Sequence, residues 1–549
     1  LKDQSPKIRV EEARDSLRPN ELYFTGGVSD DHKVSKVRLV YYEVGDRSDK
    51  KKMELVQPNK TFDEFYYTFP SGLAIEAGKT YEIYFEVTDN DGLRGGKVTR
   101  SHVFRTEVFN DKQLEERRLD NQESLIIDFD KRLNQFEEQN EELNEINRDQ
   151  KQEGNLEYKD KERIKQFLDK QKQQESLMEK FSKELKDNLK KEDGDNEMNQ
   201  LLQERLERQE LEAKKNQKLL EQLEKVADKI EREELRKRLE DLAKSQSSGK
   251  RNLEQLLELT KRYYVTEKAA QLGQKLEELS LEQMELAQDS VVKESQTEAQ
   301  KRLNEAFEKI SGELDELRGD NRALRKPLEL DYSKNEQESI KKDQKEALDK
   351  LSEDNGEKDA GESGMNPENN GATQKQNSAA QKMKELSEKL QESMSGGGGS
   401  SGVVEDAEML RQILDNLITF SFKQEGLLDK VNENSAEISE FSNTVRQQKE
   451  LRQLFEHVDD SLFALSLRRA ELSEFVNEQI TEVYYNVDKS LEGIADNQMY
   501  QAASYQQYVL NASNALADFL ANTLDNMQQS MMSGQGQGQG QGFQLPDII

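Results

Sequence analysis

Hydrophobic and polar residues alternate in the first hundred residues of the chain. Every second position is apolar in three segments, Val37 to Tyr41, Phe65 to Phe69 and Tyr81 to Val87. A period of two is typical of strands with one buried face. About seven short strands in about 100 residues match an immunoglobulin-like sandwich. We therefore predict a small all-β domain of this type over residues 1–110, without the Cys and Trp of antibody domains.

From residue 111 onward, apolar residues recur every three or four positions instead. The longest such stripe consists of Leu303, Phe307, Ile310, Leu314, Leu317 and Leu324. A narrow apolar seam flanked by charges is typical of coiled coils. The pattern is interrupted at Gly154, Asp193-Gly194-Asp195, Ser245 to Gly249 and Gly273. We therefore predict a coiled-coil or helical-hairpin region over residues 111–330, in which the helices fold back at these interruptions.

The pattern weakens between residues 331 and 402. The stretch from Asp354 to Gln376 is almost free of apolar residues, and Gly396 to Gly399 are four glycines in a row. Such segments bury too little apolar surface to offset the entropy of ordering. We therefore predict an acidic, Gly/Asn-rich flexible linker over 331–402, with one short helix between Met383 and Leu390.

The remainder of the chain is richer in apolar residues. Four wide stripes at helical spacing predict a helical bundle over residues 403–530. Gly-Gln repeats then predict a low-complexity tail over residues 531–549. The predicted fold class is therefore mainly α with a small all-β N-terminal domain.

Composition limits the chemistry of the chain. Its 81 basic and 112 acidic residues give a formal charge of −31, which repels a phosphate backbone, so we expect no nucleic-acid partner. No run of 18 apolar residues occurs, so membrane attachment would need a segment outside this chain. The chain has no Cys, and its three histidines, His32, His102 and His457, form no local metal or catalytic motif. We therefore predict a protein that is not an enzyme and has no organic cofactor.

One group of acidic residues in the predicted β domain suggests a metal site. In an immunoglobulin-like topology, the B–C and F–G loops meet at one end of the domain. These loops would carry Asp30 and Asp31 on one side and Asp89 and Asp91 on the other. Carboxylate oxygens are suitable ligands for Ca²⁺. The alternative is that these residues only form turns, a common role of Asp and Asn.

Several phrases occur together along the sequence. They are Gly27-Val28-Ser29-Asp30-Asp31, Phe69-Pro70-Ser71-Gly72-Leu73, Val87-Thr88-Asp89-Asn90-Asp91-Gly92, the helix Leu410 to Leu417, and the closing Gly542-Phe543-Gln544-Leu545-Pro546-Asp547-Ile548-Ile549. On these phrases and their order, the chain resembles a family of large membrane-anchored cell-envelope proteins of Bacteroidota that share a domain of unknown function. The resemblance implies an immunoglobulin-like domain with a coiled coil, a periplasmic location, transmembrane helices before Leu1 and further residues after Ile549. It implies no catalytic residues.

Two functions are compatible with these patterns. The first is a structural scaffold of the cell envelope that binds protein partners. The alternative is a chaperone-like or assembly accessory protein that binds client envelope proteins through its C-terminal bundle. The heptad seams can close within one chain or between copies, so a homo-oligomer is also compatible with the sequence.

Overall fold

The chain has an N-terminal antiparallel sheet followed by helices. The computed structural model describes residues 4–15, 18–90, 96–152, 158–190, 197–227, 232–288, 293–353, 369–395, 400–433, 438–469, 472 and 474–533. The strands are β1 (Lys7–Arg14), β2 (Leu22–Glu43), β3 (Lys51–Val56), β4 (Lys60–Phe69), β5 (Lys79–Asp89), β6 (Val98–Arg100) and β7 (Phe104–Val108). The helices are α1 (Asp111–Gln152), α2 (Tyr158–Leu189), α3 (Glu197–Ala227), α4 (Arg232–Gln288), α5 (Lys293–Arg322), α6 (Lys334–Glu353), α7 (Asn369–Ser395), α8 (Ser400–Glu433), α9 (Ile438–Ser466), α10 (Glu474–Ala495) and α11 (Met499–Ser533). The predicted class, mainly α with a β region at the N-terminus, is confirmed.

Contacts between residues divide the chain into two units, 1–121 and 122–549. In the first unit, the 22-residue strand β2 is central. Its first half, Leu22 to Ser29, pairs with β1 on one side and β4 on the other. Its second half, Val34 to Glu43, pairs with β5, and part of it also pairs with β3. Strand β5 in turn pairs with β6 and β7. All these pairs are antiparallel.

The alternating apolar residues form the core of this unit. The ten alternating apolar residues of the three predicted segments are all buried: Val37, Leu39, Tyr41, Phe65, Tyr67, Phe69, Tyr81, Ile83, Phe85 and Val87. Phe24 packs edge-on against Phe85, with ring centroids 5.2 Å apart. Gly26 lies opposite Phe65 in the β2–β4 register, and a Cβ at Gly26 would stand 2.2 Å from that ring. The position therefore requires a residue without a side chain.

In the second unit, helices pack in three groups of four, two of which include α4. Apolar residues of α1, α2, α3 and the first part of α4 form one core, which includes Leu143, Phe167, Leu223 and Leu239. Helices α4, α5, α6 and α7 contact one another in sequence, and α7 returns to α4. Helices α8 to α11 also close on themselves, since α11 contacts α8, and α10 of that group contacts α4. The 57-residue helix α4 therefore belongs to two of the groups and contacts the third through α10.

A layer of glutamines crosses the α4–α7 group, with one buried residue from each helix. Gln283 of α4 and Gln300 of α5 donate to each other at 2.8 and 2.9 Å. Gln344 of α6 donates to Gln283 at 3.3 Å, and Gln376 of α7 donates to Gln300 at 3.0 Å. Because shifting one helix along the others would break these bonds in an apolar surrounding, the layer favours one register.

The structure corrects two expectations about chain breaks. Helix α4 runs without interruption through Ser245 to Gly249 and through Gly273, where hairpin turns were predicted. Gly273 instead lies where α4 meets α7: its carbonyl accepts a hydrogen bond from Ser387 Oγ at 2.7 Å, and a Cβ there would touch Gln391 at 3.4 Å. The glycine fits a close helix contact. The predicted breaks at Gly154 and at 193–195 lie outside the described residues.

The predicted flexible linker over 331–402 is also corrected. Residues 334–353 and 369–395 form α6 and α7, and both helices pack in the α4–α7 group. Buried Ile340 and Leu351 on α6 and buried Met383 on α7 supply part of the apolar contact. Residues 354–368 and 396–399 lie outside the described part of the chain, as does the tail from residue 534. None of the helices in the described residues combines the length and hydropathy needed to span a bilayer.

Candidate functional site

Two of the four predicted calcium ligands lie together in the first unit. Asp30, Asp31 and His32 each bring one ligand atom to within 4.8 Å of the others. Asp30 Oδ2 accepts hydrogen bonds from the backbone N–H groups of His32 at 3.1 Å and Lys33 at 3.0 Å. Asp31 Oδ2 accepts one from the backbone N–H of Gln4 at 3.4 Å. The two bonds of Asp30 are local turn contacts of the kind Asp makes without a metal, whereas the bond of Asp31 joins it to the segment before β1.

The other two predicted ligands do not join that group. Asp89 is buried, and its Oδ1 accepts a hydrogen bond from the backbone N–H of Lys97 at 2.8 Å. Its own N–H donates to the Lys97 carbonyl at 3.1 Å, so Asp89 holds the ends of the connection between β5 and β6. Asp91 lies outside the described residues. Of the predicted ligands that the structure describes, Asp30 and Asp31 therefore lie together and Asp89 does not join them. His32 is the third residue of their group.

A polar cavity inside the helical unit has more unusual chemistry. It lies between α2, α3 and α4 and has a volume of about 20 Å³, room for about one water molecule. Its polar lining residues are Gln174, Glu175, Gln209, Glu212, Asn216, Ser245 and Gln246. Phe136, Met178 and Leu253 complete the wall with apolar groups. Seven polar side chains around so small a space are unusual in a helical core, where buried polar groups are few and paired.

Two carboxyl groups face this cavity. Burial raises the pKa of Glu175 to about 7, and the neighbouring carboxylate of Glu212 raises it further. Burial also raises the pKa of Glu212, with the carboxylate of Glu474 as the next cause. Glu175 accepts an amide hydrogen bond from Asn216 at 3.2 Å, and Glu212 accepts one from Asn252 at 3.3 Å; the amide of Gln171 also lowers the pKa of Glu175, but burial outweighs it. The ionised forms are therefore poorly compensated.

Amide groups in the same wall have unused hydrogen-bonding capacity. Gln246 is 5% exposed, and neither its Oε1 nor its Nε2 has a hydrogen-bond partner among the described residues. Gln174 donates from Nε2 to the Arg132 carbonyl at 3.4 Å, but its Oε1 has no partner within that same set. Leaving a buried polar atom unpaired costs about 1–3 kcal/mol. Such atoms mark a place where a bound species would be stabilised.

A larger cleft lies beside the cavity. It has a volume of about 750 Å³ and shares Gln209, Glu212, Asn216 and Ser245 with the cavity wall. Its rim includes several basic residues, two of which are neutralised on their own helix. Arg208 pairs with Glu204 at 2.6 Å, and Lys214 pairs with Glu210 at 2.6 Å. The shared residues make this cleft the nearest approach to the cavity.

The polar lining continues as a hydrogen-bond network into the C-terminal helices. Asn477 of α10 donates to Asn252 at 2.6 Å and exchanges two hydrogen bonds with Gln255, at 2.9 and 3.1 Å. Gln255 also accepts a bond from Arg205 of α3 at 3.3 Å. Arg205 donates further to the backbone carbonyl of Ser466, at the end of α9. One chain of polar contacts therefore connects α3, α4, α9 and α10.

Sequence reasoning missed the cavity because it treated the acidic residues of these helices as solvated. A signal of burial was present in α2. Glu175 lies at helical spacing from a mostly apolar row of residues that share one buried face, Phe167, Leu168, Gln171, Met178 and Phe181. An acidic residue at a stripe position is buried when the stripe is buried. No comparable signal in the sequence shows that Glu212 and Gln246 meet it from α3 and α4.

Comparison of the chain with models of protein families, with curated proteins and with solved structures gives no match.

Proposed function

We propose that the chain is a non-enzymatic scaffold of the bacterial cell envelope that holds protein partners together. Helix α4 is the observation that carries this proposal. A single helix of 57 residues belongs to two helix groups and contacts the third, so a load or a contact at one group is passed to the others through continuous backbone hydrogen bonding. Such a framework suits a protein whose task is to hold other proteins at fixed positions.

Charged contacts support α4 as the central element. Arg251 of α4 contacts both carboxylate oxygens of Asp459 of α9, at 2.6 and 2.7 Å. Lys244 of α4 contacts Glu482 of α10 at 3.0 Å. Both pairs are partly buried, so they are screened less by salt than surface pairs are.

Exposed aromatic side chains supply candidate surfaces for partners. Tyr66 on β4 is 73% exposed. Phe62 lies four residues earlier on the same face of this strand, and its side chain is also exposed. On α8, Phe422 is 69% exposed, and Ile418 lies one turn away with an exposed side chain. Aromatic residues are enriched in the buried centres of protein interfaces. We therefore place the partner surfaces at β4 and at α8.

We also propose that the first unit is an immunoglobulin-like sandwich, that the helices pack as coiled coils and that the chain lies in the periplasm. The two halves of β2 pair with different strands, while their side chains share one core, which supports an immunoglobulin-like sandwich. The heptad spacing of the buried stripe from Leu303 to Leu324 supports coiled-coil packing. The periplasmic location, attachment through a segment outside this chain, and protein partners in the envelope follow from the sequence resemblance.

A photo-cross-linking experiment tests the scaffold. A photoreactive residue replaces Tyr66 or Phe422 in the full chain expressed in a Bacteroidota host, with exposed Glu54 and Glu408 as matched control positions. We expect discrete cross-linked species at the two aromatic positions, in fixed stoichiometry, and none at the controls. Equal labelling at all four positions would argue against defined partner surfaces.

A chaperone-like role is the second candidate, and one observation favours it. A groove of about 650 Å³ lies between α8 and α9, with Leu427, Leu451 and Leu454 among its lining residues. Three leucines within a mostly polar groove, together with the exposed Phe422 on α8, offer apolar contacts to unfolded clients. The test is whether the full chain suppresses aggregation of a denatured model protein. Loss of suppression in Phe422→Asp but not in Glu408→Gln would support this role, and no suppression by the parent chain would exclude it.

A further inference from the structure

We propose that the cavity between α2, α3 and α4 is a divalent-cation site that takes Ca²⁺. Glu175 and Glu212 are its carboxylate ligands. The side-chain oxygens of Gln174 and Gln246 complete the inner donor set. This site is separate from the Asp30–Asp31 group of the β unit, and the inference does not depend on the scaffold role proposed above.

Charge balance is the first argument for a cation. Glu175 is buried on a helix that packs against α3, and its nearest charged neighbour is the carboxylate of Glu212. Lys215 is close enough to Glu212 to lower the pKa of its carboxyl group, but none of the described Lys and Arg side chains forms an ion pair with either carboxylate. A buried anion without a counter-ion is strongly disfavoured. A bound divalent cation would supply the missing positive charge to both groups at once.

The free amide oxygens are the second, independent argument. Gln246 comes from α4 and Gln174 from α2, and both line the cavity with an Oε1 atom that has no partner within the described part of the chain. Amide carbonyl oxygens are regular ligands of Ca²⁺, which takes six to eight oxygens at about 2.3–2.6 Å. Unpartnered oxygens beside two carboxylates form a hard donor set without nitrogen or sulfur.

The size of the cavity decides between classes of ligand. About 20 Å³ accommodates one ion or one water molecule but no organic ligand. Mg²⁺ normally retains several of its water molecules, which need more room, whereas Ca²⁺ exchanges its waters for protein oxygens readily. The donor set and the space therefore favour Ca²⁺ over Mg²⁺.

The ion can reach the cavity from the adjacent cleft. Glu212 lines both spaces, so its carboxylate is the first ligand an ion would meet. The basic rim does not close this route, because Arg208 and Lys214 are already paired with Glu204 and Glu210.

Calorimetric titration of the full chain with CaCl₂ alone, after treatment with a chelator, tests this proposal. Glu175→Gln and Glu212→Gln keep the size and the amide hydrogen-bond acceptor, so they should fold. Glu184→Gln, exposed on α2, is the matched control. Asp31→Asn separates this site from the N-terminal group. We expect one Ca²⁺ per chain, an affinity lowered at least about tenfold by either cavity variant, and no change in the other two variants.

Two outcomes would overturn the proposal. The first is the absence of both heat and a shift in melting temperature with Ca²⁺, Mg²⁺ or Mn²⁺. The second is binding that is lost in Asp31→Asn but retained in Glu175→Gln, which would assign the ion to the β unit. Circular dichroism of each variant shows whether a loss of binding reflects unfolding. A variant that keeps the parent's helix content, melts no lower than the parent in chelator and fails to bind supports the site.

Discussion

Replacing Glu175 by Gln should stabilise the helical unit at alkaline pH and change its stability much less at acidic pH. The measurement is made in chelator, so that only protons can neutralise the carboxyl group. Burial raises the pKa of Glu175 from 4.5 to about 7. A raised carboxyl pKa means that the folded state holds the proton more tightly than the unfolded state does. Its stabilising effect is complete below pH 4.5 and is lost as the pH rises through 7.

The magnitude follows from the size of the shift. Each pKa unit corresponds to about 1.4 kcal/mol, so the full loss between these limits is about 3 kcal/mol. The isoelectric point near 4.8 makes pH 5.5 a sensible lower limit for a soluble sample. Between pH 5.5 and 8.5, the stability gap between Glu175→Gln and the parent chain should widen by about 2 kcal/mol. For a cooperative unit of 150–250 residues, that is about 4–8 °C in melting temperature.

The assay combines thermal melting with hydrogen exchange, because a chain with several helix groups need not unfold in one step. Amide protection in α2 and α3 reports on the helices that carry Glu175 and Glu212. The exposed variant Glu184→Gln should show the same pH profile as the parent. A difference between Glu175→Gln and the parent that stays constant from pH 5.5 to 8.5 would refute the linkage of Glu175 to stability.

Three further changes test other parts of the fold. Gly26→Ala should destabilise the β unit by about 1–3 kcal/mol or more, because its Cβ would collide with the Phe65 ring. Gly27→Ala has no atom within 4 Å of its Cβ and should change stability by less than about 0.5 kcal/mol. Hydrogen exchange of the β4 amides measures both effects. Gln300→Leu should cost about 1–3 kcal/mol because it leaves its amide partners unpaired, and an unchanged melting temperature would show that the glutamine layer is not stabilising. Asn477→Leu should lower the free energy of amide protection in the first half of α10 by a similar amount. Unchanged protection there would mean that the hydrogen-bond network contributes little to the contact between α10 and α4.

Periodicity predicted the core wherever the core is apolar. The strands of the β unit and the stripe from Leu303 to Leu324 are buried as expected, since both patterns reflect one face turned away from water. The stripe in α3 was offset by one residue. The four-residue step from Leu219 to Leu223 favours Leu219 as the buried position, but Leu219 is 44% exposed and Leu220 is buried instead. Adjacent leucines allow either phase, and only the position of the neighbouring helices decides.

The linker prediction failed because polar residues occupy core positions. In α6, Gln337, Ile340, Gln344, Ala347 and Leu351 are buried at spacings of three and four residues, and Asp343 is buried beside them. Counting only large apolar residues hides this heptad pattern. A buried glutamine is tolerated when a partner amide faces it, and the partners of Gln344 come from distant parts of the sequence. A single sequence does not show that pairing.

The candidate cavity was unpredictable for a related reason. Carboxylates are abundant in this chain, and most lie on solvated helix faces. The position of Glu175 in an apolar stripe indicated burial, but its meeting with Glu212 depends on how α2 and α3 pack. The predicted ligands Asp30 and Asp31 were adjacent in sequence and therefore easy to find, whereas the cavity residues come from three helices.

The sharing of α4 has a consequence for synthesis of the chain on the ribosome. Its partners α1 to α3 are already made when α4 is translated, but α7 follows later, and α10 is completed only about 200 residues after the end of α4. At 5–20 residues per second this is a delay of roughly 10–40 s. During that time, the face of α4 that α10 covers has no partner. Incomplete chains should therefore be most prone to aggregation until the segment up to Ala495 has been added.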